Sequence, residues 1–144
     1  MAVNPIPDGY HTITPYLIVE GATQLMDFLS KSFDAQVLAK MLDQEGRIVH
    51  AEVRIGDSRL MVSESDEKNP PTRSLLHLYL GDTDSFYERA LAAGATSIRE
   101  PIDEFYGDRT AGVKDTFGNQ WWMATHIEDV SAEELERRAA AQNS

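Results

Sequence analysis

His77 stands in the run Leu75-Leu-His-Leu-Tyr-Leu80, an imidazole among leucines. Strand alternation would send Leu76, Leu78 and Leu80 to a helix-covered face and leave Leu75, His77 and Tyr79 on the other. There the imidazole could serve as a general base or a hydrogen-bonding anchor; a partly buried structural histidine gives the same pattern. Arg109, in Tyr106-Gly-Asp-Arg109, reads as a loop residue able to hold a carboxylate or phosphate through two parallel hydrogen bonds. A turn closed by local Asp108–Arg109 pairing is the alternative. Tyr16 could donate its hydroxyl to a ligand oxygen or sit in the core with that hydroxyl satisfied. Trp121 and Trp122 must point to opposite faces of their strand, one under a helix and one toward a cavity. An exposed indole can stack on a planar ligand or hold a cation. His50 and Glu52 alternate on one strand face and read as a surface or interface network, and His11 and His126 as peripheral.

The elements that would position these groups occur twice. Thr12 to Val19 reads as a strand, and Ala22, Leu25, Met26, Leu29 and Phe33 share one helical face. Strands follow at Val37 to Met41, Arg47 to Ile55 and Arg59 to Ser63, the last two joined at Gly56-Asp57. A polar linker, 65–73, contains Asn69-Pro-Pro71. The order then restarts: a strand from Ser74 to Leu80, and a helix capped by Asp82, Thr83 or Asp84 that buries Phe86, Tyr87, Ala90 and Leu91. Strands follow at Ala95 to Arg99, around Gly112 to Lys114, and from Gln120 to Thr125 after Gly118-Asn119. The reading is one α+β domain over 1–144 with two βαβββ modules, about 10–64 and about 74–127. In the overlay Val19 meets Leu80, Gly56 meets Gly118, and Tyr16 falls on or beside His77. Ser131 and Glu134 form a capping-box pattern opening a terminal helix to about 141, a solvated or dimer-covering element.

Composition narrows the partners. Against 13 basic residues stand 24 acidic ones, a formal charge of −11, which disfavours nucleic acid and anionic membranes. With no cysteine, disulfides, thiolate catalysis and cysteine-bound zinc drop out. The absence of a signal-like leader, or of an apolar run near about 18 residues, leads us to expect a cytoplasmic protein.

His11-Thr-Ile-Thr-Pro-Tyr-Leu17, His50-Ala-Glu52, Gly56-Asp-Ser-Arg-Leu-Met61, Ala92-Ala-Gly-Ala95, Phe105-Tyr-Gly-Asp-Arg109 and Asp115-Thr-Phe-Gly118 together resemble the vicinal-oxygen-chelate superfamily of glyoxalases, bleomycin-resistance proteins and extradiol dioxygenases, and within it the PhnB-like branch. The resemblance implies modules that each form half of an incomplete barrel around a ligand cavity, and frequent homodimers. It also implies, in metal-dependent members, four His or Glu ligands on the first and last strands of the modules. Those places fall here on Thr14, on Leu60 or Met61 according to register, on Leu75 and on Trp122.

None of these binds a hard or borderline divalent cation. The reading is therefore a small-molecule-binding protein with Tyr16, His77, Tyr106, Arg109 and Trp122 as ligand-binding residues and no cofactor. The acidic surface would favour neutral or cationic ligands. The alternative is a metal-dependent lyase, isomerase or dioxygenase whose divalent metal sits at a displaced site of His50, Glu64 and His77, or an enzyme using His77 as base. A regulatory module with a vestigial cavity is a third possibility.

Overall fold

A computed structural model of the chain describes residues 2–142. It divides between Ser74 and Leu75 into two compact units. The first contains β1 (Tyr16–Val19), α1 (Ala22–Phe33), β2 (Gln36–Leu42), β3 (Ile48–Ile55) and β4 (Ser58–Glu64). The second contains β5 (Leu75–Tyr79), α2 (Thr83–Ala92), β6 (Thr96–Asp103), β7 (Asp108–Lys114) and β8 (Gln120–His126), followed by α3 (Ala132–Gln142). Each unit holds one open four-stranded sheet, ordered β1-β4-β3-β2 and β5-β8-β7-β6. In both, the first and last strands run parallel and the other pairs antiparallel. The class is α+β, and neither sheet closes on itself into a barrel.

One face is dry along β1, β3 and β4 of the first sheet and along β7 and β8 of the second. In the first unit Leu17, Val19, Ala51, Val53, Leu60 and Val62 are buried together with Leu25, Phe28 and Leu29 of α1. Burying each large apolar side chain is worth about 1.5–3 kcal/mol, which commits alternate residues of β1, β3 and β4 to that side. In the second unit Trp121, Met123, Ala111 and Val113 are buried with Tyr87 and Ala90 of α2. The other faces carry the polar and half-exposed residues.

Helix α1 begins at Gly21, which has no side chain to cap it. Glu64, at the end of β4, supplies the acceptors: its carboxylate takes the Gly21 and Ala22 N–H groups at 2.9 and 3.0 Å. At the other end Asp34 adopts a left-handed φ of 58°, and Ala35 N–H returns to the Leu29 carbonyl.

Several strand limits differ from the sequence reading. β1 starts at Tyr16 rather than Thr12, because Pro15 has no N–H and joins the ladder only through its carbonyl, to Met61 N–H. Pro101 lies inside β6, tolerated on an edge strand, so β6 runs on to Asp103. Phe86 and Leu91 are only partly covered, leaving Thr83, Tyr87 and Ala90 as the buried residues of α2.

The two closing hairpins are not equivalent. Ile55 pairs with Ser58, so two residues make the first turn. Lys114 pairs with Gln120, so five make the second. That longer loop is organised by buried Asp115, whose Oδ1 accepts the Phe117 and Asn119 N–H groups at 2.8 and 2.9 Å and whose Oδ2 accepts Trp121 Nε1–H at 2.8 Å. Asp115→Ala leaves three donors without this acceptor and is expected to cost about 2–3 kcal/mol. Urea denaturation measures this; an unchanged midpoint would show that the loop does not depend on the carboxylate.

Candidate ligand-binding surfaces

On the bare face of the second sheet, register brings His77, Trp122, Gly112 and Arg99 into one row across β5, β8, β7 and β6. The Trp122 ring lies flat against Gly112: a Cβ at that glycine would stand 2.8 Å from three ring atoms. Arg99 places its guanidinium 5.0 Å from the Trp122 ring centroid. Arg99 is held in turn by Glu104 at 2.9 Å and by a hydrogen bond to Thr110. Trp122 Nε1–H donates to Gln120 at 3.0 Å. Trp121, its neighbour, is fully buried.

Beside this row lies a chain of titratable groups. Tyr79 donates its hydroxyl to Asp108 Oδ2 at 2.8 Å, and Asp108 Oδ1 meets His126 Nδ1 at 2.8 Å. The other ring nitrogen of His126 reaches Asp129 at 2.7 Å. Burial pushes the Asp108 carboxyl up, yet the hydrogen bonds of His126 and Tyr79 and the nearby imidazoles outweigh it and hold the group below its ordinary value. His126 is raised by Asp108 first and Asp129 second. Burial, then Glu104 and Asp108, raises the Tyr106 phenol. His77 is exposed and stacks edge-on against Tyr79, ring centroids 5.2 Å apart.

Of the residues singled out by sequence, His77 and Trp122 share the bare face of the second sheet, and Tyr106 stands near Thr110 and Asp108 of that face. Arg109 does not join them. It lies within β7 rather than in a loop, opposite Thr125, and its side chain is taken by Asp84 at the start of α2 and by Asp103 of β6. Both Asp84 oxygens are engaged, at 2.7 and 2.9 Å. The loop placement of Arg109 and its pairing with Asp108 are therefore corrected: its guanidinium is held by Asp84 and Asp103. Arg99 is the cation beside Trp122 on the bare face. Sequence gave no pointer to it, since its place beside Gly112 and Trp122 depends on two irregularities in the β6–β7 register.

In the first unit Tyr16 is 42% exposed. Its hydroxyl lies 3.0 Å from His50 Nδ1, and His50 Nε2 lies 3.1 Å from Glu52. Tyr10, in the arm before β1, hydrogen-bonds the other Glu52 oxygen, with Arg59 over its ring. His50 and Glu52 thus form a network, but one internal to this face. Two clefts flank it. One, of about 410 Å³, is lined by Tyr16, Ile18, Ile48, Val49, Ser63 and Asn69 among others. The second, of about 520 Å³, lies under the arm beside Tyr10, Glu52 and Met61.

Neither His50 nor Glu64 is free for the displaced metal set. Both Glu64 oxygens serve the start of α1, both His50 nitrogens are engaged, and among the described residues no group of three or more His, Asp or Glu side chains is gathered to hold a metal. Of the two places that the resemblance offers on β4, Leu60 is buried and Met61 lies on the bare face beside Tyr16 and Glu52. Thr14, Met61, Leu75 and Trp122 do not fit a divalent metal.

The His126 contacts carry a pH signature. A histidine raised in the folded state stabilises fully below its ordinary value, and the effect is lost as pH rises through the raised value. Asp108 and Asp129 supply the partners. The stability gap between the native chain and His126→Gln is expected to be widest near about pH 5.5 and to close toward about pH 9. Urea midpoints across that range check it, and a gap that widened with pH would contradict the assignment.

Comparison with known proteins follows the same lines. The model of the Glyoxalase/Bleomycin resistance protein/Dioxygenase superfamily matches residues 10–123. An uncharacterised protein of Mycobacterium bovis is 29% identical, over 99% of this chain and 98% of its own length. TioX from Micromonospora sp. ML1 has a similar structure, with a TM-score of 0.71 and 23% identity over 82% of this chain and 100% of that one. A Bacillus cereus PhnB protein, described as a putative 3-demethylubiquinone-9 3-methyltransferase, gives 0.66 and 18% over 80% and 99%. At such identities the two structures speak for the fold alone. With the family model spanning both units, the chain belongs to the Glyoxalase/Bleomycin resistance protein/Dioxygenase superfamily.

Proposed function

We propose that this chain is a small-molecule-binding member of the superfamily that holds its ligand against the bare face of the second sheet without a divalent metal. The observation that carries the reading is the Trp122–Arg99 pair, an indole bedded on Gly112 with a guanidinium over its ring. Where metal-dependent relatives would carry a ligand, this chain has an aromatic and cationic surface with His77 beside Trp122 in register. Such a surface offers a ligand the indole edge and the outer side of the guanidinium, and needs no activated water.

The pair also narrows the ligand. The −11 charge steers cations toward the protein, but a guanidinium already occupies the Trp122 ring, so a second cation there would be repelled. A neutral planar compound with a hydrogen-bond acceptor for Arg99 fits better. A cytoplasmic homodimer is the setting we propose for it; among the described residues no helix is long and apolar enough to cross a membrane.

With only two tryptophans, and Trp121 fully buried, quenching of emission by a ligand reports on Trp122. A screen of neutral planar aromatic compounds should yield ligands that quench part of the emission. Trp122→Leu should weaken their binding by at least about tenfold while the Trp121 signal persists. Quenching that survived this substitution with an unchanged midpoint would place the ligand elsewhere.

A further inference from the structure

The chain Tyr10–Glu52–His50–Tyr16 has a proton order that geometry dictates. Glu52 accepts the Tyr10 hydroxyl at one oxygen and faces His50 Nε2 at 3.1 Å with the other. An ionised carboxylate can only accept, and the Tyr10 and His50 hydrogen bonds keep this carboxyl below its ordinary value against the opposing effect of burial. His50 must then carry a hydrogen on Nε2 whether the ring is neutral or charged. The variable nitrogen is Nδ1, 3.0 Å from the Tyr16 hydroxyl.

The two states leave Tyr16 with opposite chemistry. With His50 neutral, Nδ1 is a bare lone pair and the phenol must donate to it, so the exposed oxygen offers a ligand only acceptor capacity. With His50 protonated, Nδ1–H donates to the phenol oxygen and the phenol hydrogen turns outward. The expectation that Tyr16 simply donates to a ligand holds in one state alone.

The surroundings leave this exchange local. Charged neighbours of the network are Glu52 itself and Arg59, which lies over the Tyr10 ring, and the titratable His11 lines the cleft under the arm with Tyr10 and Glu52. From β2 the residue in register with His50 is Met41, and Met61 of β4 is in register with both Tyr16 and Glu52; neither carries charge. Tyr16 lines the cleft of about 410 Å³. The acidic groups there are committed: Asp43 to Arg47, Glu64 to α1, and Asp66 to the Lys68 and Asn69 N–H groups.

We propose that Tyr16 is a proton-gated recognition hydroxyl: with His50 neutral, the cleft beside it selects neutral ligands that offer a hydrogen-bond donor, and with His50 protonated, ligands that offer an acceptor. This rests on the chain being a small-molecule binder, but on a different sheet from Trp122.

The test uses the full chain and two neutral probes of similar size: indole, which offers an N–H donor, and acetophenone, which offers a carbonyl acceptor. Backbone amide shifts of Ile18 and Ser63 report binding in the cleft by NMR titration at about pH 5 and about pH 8.5. The affinity ratio of indole to acetophenone should rise about tenfold with pH, one hydrogen bond being gained and another lost. In Tyr16→Phe, which keeps the ring, the ratio should be pH-independent. Nitrogen shifts of His50 should show Nε2 protonated at both pH values. A ratio that does not move, an equal movement in Tyr16→Phe, no binding by either probe, or a neutral His50 protonated on Nδ1 would each overturn the proposal. A gated cleft in a protein whose tryptophan emission no compound quenches would sink the Trp122 reading and leave this one standing.

Discussion

Strands β1, β3 and β4 of the first sheet and β7 and β8 of the second are dry on one side, and a slip of one residue would turn the apolar set of any of them to water. That constraint fixes which residues of these strands face away from the helices. Leu17, Val19, Leu60 and Val62 in one sheet, and Trp121, Met123 and Val113 in the other, must stay on the side of α1 or α2. The residues between them have no choice but the bare face. Tyr16, Met61, His77 and Trp122 are therefore placed by the burial of their neighbours, whatever chemistry they perform.

The same constraint relates the two modules. Tyr16 is opposite Met61 in one, and His77 opposite Trp122 in the other. Aligning Gly56 with Gly118 would put Leu60 in place of Trp122, yet Leu60 faces the core and Trp122 does not. The longer loop built on Asp115 supplies the difference between the turns. Two modules of common order thus present different surfaces: a linked set of phenols, imidazole and carboxylate in the first, and an indole–guanidinium pair in the second.

Much of this was legible in the sequence because it rests on local patterns. The apolar face of α1, the glycine turns and the alternation in Leu75-Leu-His-Leu-Tyr79 each depend on neighbours a few residues away. What escaped depends on pairing between distant segments. Arg109 looked free because Asp84 and Asp103 are remote in the chain, and Arg99 looked unremarkable because its row is set by bulged pairing with β7. The phenol of Tyr16 looked like a donor until His50, 34 positions away, was found beside it. Glu64 could be read as a metal ligand because nothing local shows that α1 starts on a glycine in need of an acceptor.

The central proposal is that this superfamily member binds by hydrogen bonding and aromatic contact rather than by metal ligation, with Met61 and Trp122 at places that the resemblance assigns to ligands. Elemental analysis of the chain, purified without an affinity tag or chelator, tests it most directly. The account predicts divalent metal far below one equivalent per chain, and no gain in thermal stability when zinc, nickel, manganese or iron(II) is added. One tightly held equivalent, with stability that falls when it is stripped, would contradict it.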